Sequence, residues 1–485
     1  MTLLSPATTP ASSDRAGASP AEVLTIVCAG VVLASLDLFI VNVALPQIAR
    51  ELHTADLGEL SWVLNAYAIV YASLLVFFGR LADRYRRDHA FLLGVAVFTA
   101  ASAACAASTS VGMLIGFRVV QAAGAALLTP TSLGLVLASY EPERRHGAVR
   151  AWTAMGGLAA AVGPAVGGLL VAASWRWVFL VNVPIGIAAL VVGWRRLPAL
   201  AGHPVERPGT AGVVLATAGV GLLTFGLVEG PSWGWASARI GTLLAAGVVL
   251  LLGFAWHCRR AVSPLVDPKL FRSREFTVAS IIAVFFSAAF GAMLLSIVLW
   301  EQGAWGWSAL RTGLSIAPGP LMVPVMSFLA AGRLIRRYGP AAVIIVGILA
   351  FAAGQAWWAL AITGSPNYTS GVLGGMLLGG IGVGLALPTM MATGTASLPS
   401  NAFATGSAVI NMIRQTGLAL GVAVLVAVLG SGTGIHSATL GAFQDGWWIT
   451  AALSVAGIAP ALALLRRARP AIAAPGALAP AVEEI

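Results

Sequence analysis

Two residues of opposite charge lie inside apolar stretches that are long enough to cross a lipid bilayer. Asp37 belongs to the first such stretch, which begins near residue 22, and Arg118 belongs to a later one over residues 112–139. A charge at mid-membrane depth costs about 2.5–3.5 kcal/mol on insertion scales, so such residues usually face a cavity or a partner. A carboxyl group that gains and loses a proton there can couple proton flow to another movement. We therefore expect Asp37 to carry a proton, and Arg118 is a cation in the membrane that needs a partner or water.

Both residues also have structural interpretations. Asp37 can be a carboxylate that is permanently paired to hold helices together, and Arg118 can be a residue that extends toward the membrane surface. Burial favours the neutral form of a carboxyl group, while a nearby cation favours the ionised form. Proton coupling requires that alternating access changes this balance, whereas a structural pair requires no change.

The elements that must position these residues are apolar helices. The chain has 485 residues, of which 58% are hydrophobic and 9% are charged, whereas soluble domains carry about 25% charged residues. Its apolar runs are about 20 residues long, which suits a membrane-spanning helix and is too long for a barrel strand. The sequence therefore predicts an all-α polytopic membrane protein. Its fourteen predicted spans are 22–45, 60–79, 90–108, 112–139, 148–171, 177–195, 210–229, 239–257, 276–300, 309–331, 340–361, 369–391, 404–430 and 446–465.

The basic residues are distributed unevenly between the predicted loops. Most of the 28 Lys and Arg residues share one side of the membrane with both tails, and Arg118 and Arg414 lie within spans. The exceptions on the other side are Arg50, Arg176, Arg239 and Arg311. By the positive-inside rule, both termini are cytoplasmic, and we expect the chain in the plasma membrane. This asymmetry also explains the net charge of +10 without nucleic-acid binding.

Nothing in the sequence supports catalysis. The chain has no P-loop, and its six histidines and three cysteines show no metal-ligand or catalytic-triad spacing. We interpret Cys28, Cys105 and Cys258 as packing residues. We therefore expect no enzyme activity, no metal and no cofactor, with a proton gradient rather than ATP as the energy source.

Several motifs, taken in their order along residues 22–465, resemble the major facilitator superfamily, specifically its fourteen-helix drug:proton antiporter branch. The Leu36–Pro46 stretch resembles the first-helix motif of that branch. Gly79–Arg87 resembles the superfamily motif of loop 2–3, and the segment Gly332–Gly339 echoes it later in the chain. The other similar segments are Leu114–Gly124, Gly163–Gly168, Trp175–Pro184, Pro264–Phe271 and Arg414–Gly417.

The resemblance implies a major facilitator fold, with two six-helix bundles plus two extra central helices. It also places Arg118 in the fourth helix, near the first, where it would tune Asp37 or bridge the helices. We expect the N-terminal bundle over residues 22–197, the two inserted helices over 198–260 and the C-terminal bundle over 261–467. Residues 1–21 and 468–485 are predicted to be cytoplasmic tails, and the first of them is rich in Ala, Ser, Thr and Pro and should be disordered.

The resemblance also implies roles for two motifs in conformational change. The loop 2–3 motif would latch the two halves in one conformation, although such a basic turn is also a topology signal; its residues are Gly79, Asp83, Arg84 and Arg87. The fifth-span motif would act as a gating hinge, since proline lacks an amide donor and small residues permit close helix contact. A plain packing motif has the same features. Its residues are Gly163, Pro164, Gly167 and Gly168.

Polar and aromatic residues within spans are the candidates for substrate contacts, because an apolar cavity with a few polar groups suits amphipathic molecules. Glu301 is a candidate second intramembrane acid and could attract cationic substrates. Gln121 lies one turn from Arg118 and can share a polar cluster with it. The candidates are Asn42, Trp62, Asn65, Tyr67, Gln121, Trp300, Glu301, Gln302, Asn411, Arg414 and Gln415.

Together, these features predict a proton-coupled multidrug efflux antiporter that exports amphipathic, cationic or lipophilic small molecules and works as a monomer. Two alternatives stay open. One is a dedicated exporter of a single metabolite, antibiotic or lipid on the same fold. The other is a non-transporting membrane receptor or scaffold, against which the intramembrane Asp37 and Arg118 argue.

Overall fold

The computed structural model describes residues 18–54, 56–200, 209–327, 332–399, 402–430 and 439–465. Within these ranges the chain is almost entirely helical and has no β-strand, so the predicted all-α fold is confirmed. The predicted C-terminal tail and residues 1–17 of the predicted N-terminal tail lie outside the described residues. The first helices are α1 Pro20–Glu51, α2 Leu57–Arg84, α3 Arg87–Ala106, α4 Val111–Ser139, α5 Pro142–Val171, α6 Trp177–Leu180 and α7 Asn182–Arg196.

The remaining helices follow with few interruptions. A 3₁₀ turn spans Pro268–Arg272, and π-helical turns span Trp300–Ala304 and Tyr368–Val372. The α-helices are α8 Thr210–Trp233, α9 Ala238–Arg260, α10 Arg274–Leu299, α11 Ala309–Ile316, α12 Pro318–Val325, α13 Gly332–Tyr338, α14 Pro340–Ala361, α15 Leu373–Ala396, α16 Phe403–Leu429, α17 Leu440–Ala456 and α18 Ile458–Leu465.

Local capping explains why helices begin before their apolar runs. At the start of α1, the Ser19 hydroxyl accepts from the Glu22 amide at 3.3 Å, and the Glu22 carboxylate accepts from the Ser19 amide at 2.9 Å. This reciprocal capping box satisfies two amides that have no partner within the helix. Hydropathy marks only the apolar part of a span, and the backbone hydrogen bonds continue into polar residues on both sides.

The predicted tenth span differs most from the structure. Thirteen helical stretches of the described residues are long and apolar enough to cross a membrane, and residues 309–331 are not among them. This stretch forms α11 and α12, separated at Ala317, and then reaches residues 328–331, which lie outside the described part. Pro318 and Pro320, which follow Ala317, each lack the amide that would continue the helical hydrogen bonds, so the hydropathy is that of a span but the helix is interrupted.

The helices pack as two groups that share an interface. In the first group, α1 packs against α4, α5 and α7, and α3 packs against α4. In the second group, α10 packs against α15, α16 and α17, and α14 packs against α15. The groups meet where α2 packs against α16 and α5 against α11, while α8 contacts both α2 and α16. We call the end of the bundle at the α1–α2 turn the outer end and the end at the α2–α3 turn the inner end.

Candidate functional site

Asp37 of α1 and Arg118 of α4 form an ion pair inside the first helix group. Neither side chain has exposed surface, and Arg118 Nη1 donates to Asp37 Oδ2. Gln121, one turn after Arg118, connects to both residues. Its Oε1 accepts from Arg118 Nη1 at 2.7 Å, and its Nε2 donates to Asp37 Oδ1 at 2.9 Å. The sequence places Asp37 and Arg118 in separate spans, and the fold brings them into contact.

Three further helices hold this pair in place. Asn182 of α7 donates to Asp37 Oδ1 at 3.3 Å, and Ser102 of α3 accepts from Gln121 at 2.8 Å. The Val63 carbonyl of α2 accepts from Arg118 Nε at 3.1 Å. Buried charges persist when they are paired and hydrogen-bonded, and removing one partner of a buried pair costs about 3–5 kcal/mol. The pair therefore fixes the relative positions of five helices, which suits a structural role and also makes their packing sensitive to its charge.

Tyr67 of α2 covers the guanidinium of this pair. The centre of its ring lies 4.0 Å from Arg118 Cζ, and such a cation–π contact contributes about 2 kcal/mol when it is shielded from water. Tyr67 stacks in turn on Tyr71, with ring centres 5.9 Å apart. Arg118 Nη2 has no hydrogen-bond partner within the described part of the chain. One donor of the arginine is thus left for another acceptor.

A narrow cavity between the two helix groups reaches the ion pair. Arg118, Asn42 and Asn65 line it from the first group, and residues of α10 and α16 line it from the second. Its volume is about 40 Å³, which holds a few water molecules, whereas pockets for drug-sized ligands measure about 300–1,000 Å³. A substrate chamber at this place therefore requires the two groups to move apart.

The predicted substrate contacts fall into separate places. Four of them border the ion pair or the cavity, namely Asn42, Asn65, Tyr67 and Gln121. Three lie on α16 on the inner side of the cavity, namely Asn411, Arg414 and Gln415. Trp62 packs against Phe225 of α8, with ring centres 6.0 Å apart.

The other three predicted contacts, Trp300, Glu301 and Gln302, lie at the outer end in the π-helical turn after α10. Trp300 packs in an aromatic cluster, 5.1 Å from Phe443 and 6.0 Å from Trp447 between ring centres. The Gln302 amide donates to the Val43 carbonyl of α1 at 3.0 Å. Gln302 therefore connects the second helix group to α1. The contact is at Val43, which lies six residues after the proton-carrier candidate Asp37.

Glu301 is buried without a charged partner. It has 0% exposed surface, and the Ser315 hydroxyl of α11 lies 2.6 Å from one carboxyl oxygen and 2.5 Å from the other. No basic side chain among the described residues comes within the 4.0 Å of an ion pair. Glu301 does not line the cavity, so a direct attraction of substrates would require this region to open.

The fifth-span motif forms a close contact between the two helix groups at the outer end. A β-carbon on Gly168 of α5 would lie 2.4 Å from the Ala309 carbonyl, and one on Gly313 of α11 would lie 2.3 Å from the Pro164 carbonyl. On another face of α5, a β-carbon on Gly167 would lie 2.8 Å from Ile40 of α1. We call the Pro164–Gly168 contact with α11 the outer seam. Only glycine allows these backbones to approach so closely.

The loop 2–3 motif contacts the second helix group at the inner end. Arg80 Nη1 donates to the Pro264 carbonyl, and Nη2 donates to the Ser263 hydroxyl at 3.1 Å. Among the predicted latch residues, Gly79 packs against Pro130 of α4 and Arg87 against Gly134, so both contact their own group. Arg84 ends α2, and the side chain of Asp83 is outside the described part. Among the described hydrogen bonds, those of Arg80, a neighbour of the predicted residues, join the two groups at this end.

Sequence reasoning did not single out three residues that the geometry makes prominent. Arg80 and Asn182 belong to two motifs of the sequence analysis, Gly79–Arg87 and Trp175–Pro184. A polar side chain within such a motif could have identified each of them as a candidate. Ser102 gives no such signal, because a serine in an apolar helix usually bonds its own backbone, as this one also does with Phe98.

Within the described ranges, no cluster of three or more His, Cys, Asp or Glu residues is arranged to hold a metal.

Comparisons with known proteins place this geometry in context. The family model described as Major Facilitator Superfamily matches residues 27–422. The tetracenomycin C resistance and export protein of Streptomyces glaucescens is 32% identical over 87% of this chain and 77% of its own. The cephamycin export protein of Amycolatopsis lactamdurans is 35% identical over 92% of this chain and 93% of its own. The multidrug resistance protein Stp of Mycobacterium tuberculosis is 33% identical over 84% and 76%.

Solved structures share the fold at low sequence identity. An auto-inhibited POT family peptide transporter superposes with a TM-score of 0.66 at 17% identity and covers 92% of this chain and 97% of its own. The nucleoside transporter NupG gives a TM-score of 0.61 at 13% identity, with 92% and 99% covered. These likenesses concern the arrangement of the helices.

Proposed function

The chain belongs to the major facilitator superfamily, and on that premise we propose that it is a proton-coupled antiporter that exports amphipathic or lipophilic small molecules. It is a multi-pass membrane protein and a transporter rather than an enzyme. In this proposal it acts as a monomer in the plasma membrane, with both termini in the cytoplasm. The proton gradient supplies the energy, and no cofactor takes part.

The observation that carries the proposal is the Asp37–Arg118 pair beside the cavity between the two helix groups. An ion pair that served only to hold helices together could lie anywhere in the bundle. This one borders the space that must open for a substrate, and Arg118 is itself part of the cavity wall. A change in its charge is therefore felt where the two groups separate.

The proposed coupling proceeds through α1 and α5. When a proton neutralises Asp37, Arg118 loses its charged partner and keeps Gln121, the Val63 carbonyl and the Tyr67 ring. The hold of α1 on α4 is then weakened. Because α1 packs closely against Gly167 of α5, and α5 forms the outer seam with α11, a shift of α1 is transmitted to the outer closure. In this proposal the proton and the substrate exclude each other through the position of α1 rather than through a shared partner atom.

The boundaries of the two bundles and of the inserted helices are also part of the proposal. We assign residues 22–197 to one bundle and 261–467 to the other, with the inserted helices over 198–260 between them. The packing of α8 against both α2 and α16 supports an insertion at the interface. Movement of the bundles relative to each other opens the cavity alternately to the two sides.

A dedicated exporter of one compound is the second candidate, because two of the relatives carry the names of single compounds, tetracenomycin C and cephamycin. The multidrug resistance protein among them favours the broader range. Both candidates use the same proton site. They differ in how many chemically unrelated substrates drive proton release.

The test is transport in everted membrane vesicles that contain the protein. A panel of one cationic, one anionic and one neutral amphipathic dye is offered, and dye uptake and dye-induced proton release are recorded. The wild type is expected to move at least one dye and to lose this gradient-driven movement in Asp37→Asn. Glu229→Gln is the matched control, since Glu229 lies at the outer end of α8 and bonds Ser232 of its own helix.

Three results bear on the proposal. Coupled transport by the Glu229→Gln control and none by Asp37→Asn supports proton exchange at Asp37. Gradient-driven transport that persists in Asp37→Asn would mean that another acid carries the proton. Glu301 is then the first residue to test. A wild type that moves no dye and no proton, although it is folded in the membrane, counts against multidrug antiport and favours a dedicated exporter or a non-transporting receptor.

A further inference from the structure

A second arginine, Arg414, lies near the middle of α16 on the same face as part of the cavity wall. Leu418 and Val422 of this helix line the cavity, and Arg414 precedes Leu418 by one helical turn. Residues spaced by three or four positions share one side of a helix, so Asn411, Arg414, Leu418 and Val422 form one stripe. Arg414 therefore lies just below the cavity, on the inner side from which an exported substrate enters.

The guanidinium of Arg414 has neutral partners. Its Nη1 donates to Asn411 Oδ1 at 3.0 Å and lies 3.7 Å from the sulfur of Met391. Its Nε is enclosed and finds no acceptor in the described part of the chain. No carboxylate of the described residues comes within 4.0 Å of it. Donors of a partly buried arginine are thus available without a negative charge to satisfy them.

The opposite helix contributes a hydroxyl to the same place. On α2, Leu64 and Ala68 line the cavity, and Tyr71 follows one turn further toward the inner end. Because α2 packs against α16, Tyr71 lies on the same inner side of the cavity as Arg414, and its hydroxyl donates to the Thr129 hydroxyl of α4 at 3.3 Å. Arg414 and Asn411 of one group and Tyr71 of the other therefore lie on the inner side of the cavity, one helical turn beyond residues that line it.

The charges around the cavity do not balance. Asp37 and Arg118 neutralise each other, which leaves the charge of Arg414 uncompensated. An arginine at this depth in a membrane protein is costly to hold, and such residues commonly mark substrate pathways. A guanidinium offers a planar fork of donors that matches a carboxylate with two parallel hydrogen bonds.

We propose that Arg414, together with Asn411 and Tyr71, binds the carboxylate of an exported amphipathic compound. The inference rests on the proposed function and specifies its substrate class, an organic anion or a zwitterion with a free carboxylate. It replaces the expectation of cationic substrates, which depended on Glu301, a residue that lies away from the cavity. The substrate enters with its carboxylate toward Arg414 and its apolar part toward Leu418 and the cavity.

The experiment uses one xanthene dye with a free carboxylate and the methyl ester of the same dye. The pair differs by the charge at one group, so size and ring system are held constant. Uptake into everted vesicles is measured for the wild type, Arg414→Gln and Arg414→Lys. Arg311→Gln is the control, because Arg311 is an exposed arginine at the outer end that stacks on Trp307.

The wild type should show a KM for the acid about 10-fold or more below that for the ester, the effect expected for a hydrogen bond between charged groups. Arg414→Gln should raise the KM of the acid to that of the ester and leave the ester unchanged. Arg414→Lys should give an intermediate value, because it keeps the charge and loses the fork. Arg311→Gln should behave as the wild type.

Equal KM values for acid and ester in the wild type would overturn the proposal. So would an equal loss of both dyes in a stable Arg414→Gln protein, which would assign the residue to packing. If no dye is moved at all, the proposed function fails, and the site is then tested by equilibrium binding of the two dyes to the purified protein. Tighter binding of the acid that Arg414→Gln abolishes would retain the site, and equal binding would remove it.

Discussion

The two helix groups hold their intramembrane charges in different ways. In the first group, Asp37 and Arg118 lie in contact and share Gln121 as a common partner. In the second group, Glu301 and Arg414 each lack an ion-pair partner among the described residues, and they bond to Ser315 and Asn411. The charges of the first arrangement balance without a ligand, whereas each charge of the second has no opposite charge beside it among the described residues.

This difference suggests a division of tasks. A compensated pair changes its net charge only when a proton arrives or leaves, so it responds to the proton gradient. An uncompensated arginine beside the cavity responds to the charge of whatever enters. If both effects act on the same interface, proton and substrate compete through the positions of α1, α2 and α16 rather than at one shared atom.

The largest expected effect comes from removing the compensation in the first group. Arg118→Gln leaves Asp37 buried without a cation, which should lower the free energy of unfolding by about 3–5 kcal/mol and abolish transport. The double variant Asp37→Asn with Arg118→Gln removes both charges and should recover part of that stability. Chemical unfolding in detergent measures the differences. If Arg118→Gln unfolds no more easily than Arg311→Gln, the pair does not hold the helices and the contrast between the groups is lost.

The next effect concerns the outer seam, through which one group is linked to the other. A larger side chain in Gly168→Leu would meet the Ala309 carbonyl, so the seam should stay open and the transport rate should fall about tenfold or more. Gly157→Leu is the control on the same helix, since a β-carbon there meets nothing within 4 Å.

Access to the seam can be followed with Ala309→Cys and a membrane-impermeant thiol reagent. The chain's own cysteines, Cys28, Cys105 and Cys258, are buried, so they should give little background. Labelling from the outside should rise in the Gly168→Leu background and stay low with Gly157→Leu. Equal labelling in both would show that the seam is not what closes the outer end.

The helices and the depth of the charged residues could be predicted from the sequence, because both depend on local hydropathy. The partners of those residues could not. Whether Asn182 reaches Asp37, or Arg80 reaches the Pro264 carbonyl, depends on which helices become neighbours and how each is rotated. Glu301 shows the limit most clearly, because its position at the end of an apolar run says nothing about whether it faces Ser315 or the cavity. The interruption at Ala317 could be predicted in principle from Pro318 and Pro320, which follow it directly.

A smaller effect is expected at Glu301, and it sharpens the comparison of the two buried acids. Glu301→Gln should leave proton-driven transport intact, because this residue does not line the cavity and forms no ion pair with a described residue. Ser315→Ala removes a hydrogen-bond partner of the carboxyl group and should lower the free energy of unfolding by about 1–3 kcal/mol. Dye-induced proton release and unfolding measurements report the two effects separately. Loss of proton release in a stable Glu301→Gln protein would mean that both groups carry protons.

The smallest effect is expected at the inner contact between the groups. Arg80→Ala removes the bonds to Ser263 and Pro264, and because the site is partly exposed to solvent we expect a cost of about 1 kcal/mol, close to a fivefold change in the ratio of inner-closed to inner-open molecules. Arg86→Ala removes the same charge six residues later at the inner end, but Arg86 pairs with Asp88 of its own group. Single-molecule FRET between dyes on α5 and α12 at the inner end measures the ratio. A change of this ratio in Arg80→Ala and not in Arg86→Ala would show that the hydrogen bonds to Ser263 and Pro264 keep the inner end closed. Equal changes in both variants would mean that the positive charge at the inner end matters and these hydrogen bonds do not.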